Sequence, residues 1–158
     1  MKSVLIIFVL LLAYAGGVFG QVSLDSFNKE WSLTQQKLKE DLKGKKIVEN
    51  KAKGLTILTF EDVLDNFQVR VDYTFNKEGQ LTAKTITNSF GERDYKPLFD
   101  IFKNDAVKRY GSKFTNKILK GKNSLIWQPD ENTRVFMIYG QLMVQYNILK
   151  NLKPKSGN

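Results

Sequence analysis

Apolar and polar residues alternate along FQVRVDYTF, residues 67–75, where Phe, Val and Tyr take every second position. A period of two is typical of a β-strand with one buried face and one polar face. The turn sequence NKEG, residues 76–79, follows, and the Thr-rich residues 80–90 predict a partner strand with a wetter face. This stretch therefore predicts an antiparallel hairpin.

More strands are predicted on both sides of this hairpin, because short apolar runs alternate with Gly, Pro and Asn turn signals. The predicted segments are residues 46–51 and 55–60 upstream, and residues 113–120, 124–128, 133–139 and 142–149 downstream. Residues 135–139 are apolar on both faces, which predicts either a central strand covered on both sides or an apolar patch left for a partner.

One amphipathic helix is predicted before each set of strands. The first ends near Gly44, and it starts either near Ser26 or after a capping box at Ser32. The second starts at Asp94 as N-cap and ends at Gly111. Each helix has a single apolar stripe, so each is expected to cover the sheet from one side.

Residues 24–90 and 92–149 thus share one plan, and KEDLK at 39–43 has a counterpart in KNDAVK at 103–108. The pattern predicts an α+β fold with two helices packed on one face of a large antiparallel sheet, built from a duplicated α-β-β-β-β unit. We expect residues 21–150 to form one domain and residues 151–158 a basic, flexible tail.

Residues 1–20 have the pattern of a removable export signal: Lys2, then nine apolar residues at 4–12, then small residues. Such a run is far shorter than the ~20 residues of a membrane-spanning helix, so a stable transmembrane anchor is not expected. Cleavage is predicted after Ala15 or after Gly20, with Gly20 preferred. The sequence thus predicts a signal peptide and a periplasmic or extracellular protein.

The chain has 158 residues and a formal charge of +9. Removal of the signal with Lys2 leaves 24 basic and 16 acidic residues, a charge of +8 on 138 residues. That length suffices for one hydrophobic core without disulfides, and the chain has no Cys. A basic surface favours acidic partners, and a simply solvated Lys-rich surface is the alternative.

Neither His nor Cys occurs in the sequence, which removes thiol and imidazole catalysis and the common zinc ligands. Carboxylate chemistry such as glycoside hydrolysis remains open, and its candidate residues are Glu61, Asp62, Asp65, Asp72, Glu92, Asp94, Asp130 and Glu131. Glu61, Asp62 and Asp65 are predicted in a loop. No catalytic, cofactor-binding or metal site is predicted.

Basic residues form two clusters, each after a predicted helix. In a duplicated fold both clusters would run down equivalent strands and form one groove for a polyanion, with Phe114 or Trp127 as stacking surfaces. The possible polyanion-binding residues are Lys43, Lys45, Lys46, Lys108, Arg109, Lys113, Lys117, Lys120 and Lys122.

WSL at 31–33, VDYTF at 71–75, KRYG at 108–111 and LIW at 125–127 resemble segments of small exported bacterial proteins of uncharacterised families. The tandem helix-and-four-strand plan is also similar to that of the β-lactamase inhibitor protein. The disulfides of that protein have no counterpart in this chain, so the resemblance implies the fold plan and not the inhibitory function.

Together these patterns predict an exported, non-enzymatic binding or structural protein that acts through its sheet surface or an exposed edge strand. The expected partner is another protein or an envelope component. A cationic module that binds nucleic acid, acidic glycan or the envelope surface is the first alternative, and a carboxylate-dependent hydrolase is the second. No cofactor is expected.

Overall fold

A computed structural model describes residues 21–89, 95–119, 121–140 and 143–150 of the chain. The predicted signal peptide, the Asp94 cap, Glu92, Lys120 and the tail at 151–158 lie outside these residues. The described elements are α1 (Leu24–Lys29), α2 (Gln35–Asp41), β1 (Val48–Ala52), β2 (Leu55–Leu64), β3 (Phe67–Phe75), β4 (Leu81–Asn88), α3 (Lys96–Tyr110), β5 (Thr115–Leu119), β6 (Lys122–Asp130), β7 (Thr133–Tyr139) and β8 (Val144–Leu149).

All eight strands form one antiparallel sheet in the order β1-β2-β3-β4-β8-β7-β6-β5. Each half of the chain contributes a meander of four neighbouring strands, and the two meanders meet where β4 pairs with β8. The α+β prediction with a large antiparallel sheet is confirmed. The duplication stays a prediction, because a shared strand order does not test common origin.

One side of the sheet is buried. In β3 the alternate residues Val69, Val71 and Phe75 are fully enclosed, whereas the residues between them are half-exposed or exposed. The rings of Phe27 in α1 and Phe102 in α3 contact Tyr146 in β8 at centroid distances of 6.2 and 5.3 Å. Helix α3 also contacts β7 and β8.

The structure divides the first predicted helix in two. Ser23 caps α1 by accepting from the Ser26 amide, and Thr34 caps α2 by accepting from the Lys37 amide. Helix α1 begins at Leu24, close to the predicted start near Ser26, whereas Ser32 caps neither helix. The prediction of two helices is therefore wrong, since three are described.

Two strand predictions also need correction. Residues Glu61 and Asp62 lie in β2 and not in a loop, because the strand continues to Leu64 and turns at Asp65 and Asn66. Both turn residues have positive φ angles, 45° and 71°, as a tight hairpin requires.

The apolar strand β7 is internal, between β8 and β6. On one side Val135 and Met137 are fully buried, but on the other side Phe136 and Ile138 stay half-exposed. The expectation that this strand is covered on both sides is therefore wrong. The alternative, an apolar patch, agrees with the observed burial.

Gly111 ends α3 with φ 86° and ψ 171°, a conformation that only glycine adopts without strain. A Cβ atom built there would meet no heavy atom within 4 Å, so only the backbone opposes a side chain. We expect Gly111→Ala to lower the free energy of unfolding by about 1 to 3 kcal/mol, measured by urea denaturation.

Gly140 is the matched control. It also has open space around its Cβ position, but its φ lies outside the positive region. Gly140→Ala should therefore change the free energy of unfolding by less than about 0.5 kcal/mol. Equal losses in the two variants would contradict the assignment of strain to Gly111.

Candidate functional site on the open face of the sheet

The side of the sheet opposite the buried one is here called the open face. Strand pairing aligns its residues in rows that cross the sheet: one row runs Thr59, Asp72, Thr85, Asn147, Phe136 and Ile126. The neighbouring row runs Glu61, Arg70, Thr87, Gln145, Ile138 and Ser124. Both rows are polar over β2, β3, β4 and β8 and become apolar over β7, so the open face has two chemically different halves.

Hydrogen bonds connect the side chains of the polar half. The Thr59 hydroxyl donates to Asp72 at 2.7 Å, and the Thr85 hydroxyl donates to the Asn147 side-chain oxygen at 3.0 Å. Within the described ranges, Arg70 Nε and Thr87 Oγ1 have no hydrogen-bond partner, although Arg70 Nε lies 3.6 Å from Asp72. Most polar groups of this half are thus already satisfied inside the protein.

A depression of about 520 Å³ lies in the apolar half and is called the trough here. Its lining residues are Thr115, Lys117, Ile126, Gln128, Arg134, Phe136 and Leu149. The apolar side chains of Ile126, Phe136 and Leu149 come from three adjacent strands, β6, β7 and β8. This volume falls within the range of ligand pockets, and its floor can bury apolar groups of a partner.

Two cations line the trough together with these apolar residues. Lys117 lies exposed on the edge strand β5, and Arg134 lies exposed on β7. Gln128 accepts a hydrogen bond from Arg134 Nε at 3.2 Å and itself donates to the Thr133 carbonyl at 2.8 Å, so the guanidinium is held in place. An apolar floor with a fixed cation at its rim suits an anionic group attached to an apolar one.

The sheet order separates the two predicted basic clusters. Lys43, Lys45 and Lys46 precede β1, whereas Lys117 lies on β5 and Lys122 begins β6. Strands β1 and β5 are the opposite edges of the sheet, separated by seven strand spacings of about 4.8 Å, or roughly 34 Å. The predicted continuous groove is therefore wrong, because equivalent strands of the two halves lie at opposite ends.

Two of the candidate cations have internal partners. Lys45 pairs with Asp62 at 2.6 Å, with both side chains nearly enclosed. Arg109 pairs with Asp105 at 2.8 Å and also with Asp25, which ties α3 to α1. The candidates Lys43, Lys46, Lys108, Lys113, Lys117 and Lys122 are exposed.

A depression of about 650 Å³, larger than the trough, lies at the β1 end of the sheet. Lys45 and Lys46 line it together with Glu61 and Asp62, so its charges are balanced. An anion receives less attraction there than at the trough. We therefore take the trough, and not the larger depression, as the candidate site for an acidic partner.

Two of the described carboxylates have a pKa that is shifted away from the range of a general acid at neutral pH. Neighbouring donors lower the pKa of Asp130, and Arg109 lowers the pKa of Asp25. A general acid at neutral pH needs a raised pKa instead. Among the residues that the structure describes, no group of three or more acidic side chains is placed to hold a metal ion.

Lys84 is a feature that the sequence analysis missed. It lies in β4 on the buried side, fully enclosed, and its ammonium donates to the Phe27 carbonyl at 2.7 Å. The Trp31, Phe27 and Tyr73 ring centroids lie 4.7, 5.6 and 5.6 Å from Lys84 Nζ. Its position two residues before the buried Ile86 was the available signal, because alternate residues share a face.

This environment shifts the titration of Lys84. Burial lowers the pKa of its ammonium to about 8, while Glu30 opposes that shift and Lys150 adds to it. The surrounding rings and the carbonyl compensate part of the lost hydration of the cation. Lys84 is thus a buried cation that fastens α1 to the middle of the sheet.

A second polar contact joins the same helix to α3. Asn28 donates to Asp105 at 3.1 Å and accepts from the Tyr110 hydroxyl at 2.7 Å. The Tyr146 hydroxyl donates to Asp105 at 3.3 Å, and burial raises the pKa of both tyrosines. These groups hold α1, α3 and β8 together.

No family model, curated protein or solved structure matches this chain. The resemblance to exported bacterial proteins and to the β-lactamase inhibitor protein therefore stays a prediction. In the described part of the chain, no helix has both the length and the apolar character needed to cross a membrane.

Stability should rise with pH because of Lys84. The unfolded chain keeps the lysine proton up to its ordinary pKa of 10.5, whereas the folded protein releases it near 8. The unfolded state thus binds more protons between these values, and stability increases as the pH rises through that window. From pH 7 to pH 9.5 we expect a gain of about 2 kcal/mol over the Lys84→Met variant.

The measurement is urea denaturation of both proteins at several pH values in that window. Tyrosine ionisation affects both proteins alike, so the difference between them isolates Lys84. Identical pH profiles would show that Lys84 keeps its ordinary pKa.

Proposed function

We propose that this chain is an exported, non-enzymatic binding protein that holds another protein against the apolar half of its open face. The observation that carries the proposal is the trough, which is lined by the apolar residues Ile126, Phe136 and Leu149 together with the cations Lys117 and Arg134. A sheet side that served only as solvated surface would not need three apolar side chains on adjacent strands.

The rest of the fold supports this interpretation. The helices contact residues of the buried side, through Phe27 with Tyr73 and Phe102 with Tyr146, and so leave the opposite side for a partner.

We include the duplicated α-β-β-β-β plan in the proposal. In that plan the second half diverged to carry the trough, and the first half kept a polar surface of Thr59, Asp72 and Thr85.

A site-specific photo-crosslinker tests the proposal. We expect Phe136→p-benzoylphenylalanine, in the full chain exported by its own cells, to give a discrete protein adduct. The exposed Asn104 on α3 is the matched control position, because it lies on the helical side. No adduct from position 136, or the same adduct from both positions, would refute the proposed surface.

A polyanion-binding module is a second candidate, supported by the exposed Lys113, Lys117 and Lys122 near one edge. If the protein binds nucleic acid there, affinity for single-stranded DNA should fall about tenfold or more from 50 to 200 mM salt. The double variant Lys113→Glu, Lys117→Glu should remove the binding, whereas Lys43→Glu with Lys46→Glu at the opposite edge should not. Absence of binding at about 50 mM salt would exclude this candidate.

A further inference from the structure

The two edge strands of the sheet differ in how they are protected. An edge strand presents unpaired N–H and C=O groups, and proteins guard such edges with charged side chains. On β1, Glu49 pairs with Lys39 at 2.5 Å and with Lys51 at 3.0 Å, so a network of charges covers that edge.

The other edge, β5, lacks such a network among the described residues. Its sequence is TNKIL, with Lys117 as its one charged residue. Ile118 exposes 74% of its surface, the largest exposure of any large apolar side chain described. An exposed, apolar edge strand favours pairing with another extended chain.

The side chains of β5 indicate which chain would pair. Thr115 and Lys117 lie on the open-face side and line the trough, whereas Asn116 and Ile118 lie on the other side. A strand added beside β5 would alternate in the same way, with one set of residues beside Lys117 and the other set beside Ile118. Opposite charge is favoured beside Lys117, and an apolar, β-branched residue is favoured beside Ile118.

Charge excludes a second copy of this chain as the best occupant. Pairing of β5 with β5 would bring Lys117 and the neighbouring Lys113 and Lys122 of both copies together, and like charges across strands are destabilising. An acidic segment meets the opposite situation, because these lysines and Arg134 attract it.

We propose that the partner contributes an extended segment of alternating acidic and apolar residues that pairs with β5 as a ninth strand. Its backbone would pair with the free edge, its acidic side chains would lie on the side of Lys117, and its apolar side chains would cover Ile118. This inference rests on the proposed function, since it names the partner segment that enters at the border of the trough.

Fluorescence anisotropy with three labelled peptides, each about ten residues long, tests the pairing. The first alternates Val and Glu, the second has the same composition in two blocks, and the third alternates Val and Lys. We expect the first to bind at least about tenfold more tightly than the other two, because only it combines the strand pattern with the complementary charge.

Variants locate the binding. Ile118→Pro should weaken the first peptide at least about tenfold, since proline cannot continue the ladder, and Asn50→Pro at the protected edge should have no effect. Lys117→Glu should reverse the preference in favour of the Val and Lys peptide. This exposed substitution keeps the test valid if the proline variant fails to fold.

Several outcomes would overturn the inference. One is that the first peptide does not bind at about 1 mM. Another is that the block peptide binds equally well, which would indicate that charge alone drives binding. A third is that the two proline variants have equal effects on binding. A dimer in sedimentation that Ile118→Pro dissociates would show that a second copy covers β5. If the partner still crosslinks at position 136 in the Lys117→Glu variant, the proposed function stands and the strand pairing is wrong.

Discussion

The described structure depends on one constraint: eight antiparallel strands create two broad sides, and the three described helices supply apolar surface for one of them. Phe27, Leu38, Leu98, Phe102 and Ala106 enter a single core with the buried side of the strands. Among the described residues, the ring contacts of the helices are all made with the buried side. The mixed character of the open face, polar over β3 and β4 and apolar over β7, follows from that division.

Lys84 helps to hold α1 over the sheet, although its burial costs hydration energy. A buried ammonium loses its hydration, and here a carbonyl and three aromatic rings replace part of it. Helix α1 has six residues, too few to be stable alone, so it depends on such tertiary contacts. Asn28, Asp105 and Tyr110 add a second attachment, and together they connect the first helix to both halves of the chain.

The periodicity of the sequence was enough to predict the strands but not the residues that lie next to them in the folded protein. The limits of β3 and β7 agree with the predicted residues, because alternation is a local property. The break between α1 and α2 was missed because Ser23, Ser26, Ser32 and Thr34 are all plausible caps and tertiary packing selects among them. The trough and the separation of the basic clusters depend on which strands become neighbours, which no local pattern reports. Glu61 and Asp62 were predicted in a loop because consecutive charged residues after Phe60 are typical of a solvated turn. The ion pair of Asp62 with Lys45, which lies before β1, depends on the tertiary fold.

The unequal edges have a consequence for stoichiometry. A sheet that could pair at both ends would add copies without limit and grow into a fibre. Here the charged network of Glu49, Lys39 and Lys51 opposes strand pairing at β1, so a chain that pairs at β5 cannot be followed by another at the opposite edge. The pairing proposed at β5 would therefore end in a complex of one to one, because the charged strand at the far end of the sheet opposes the addition of further copies.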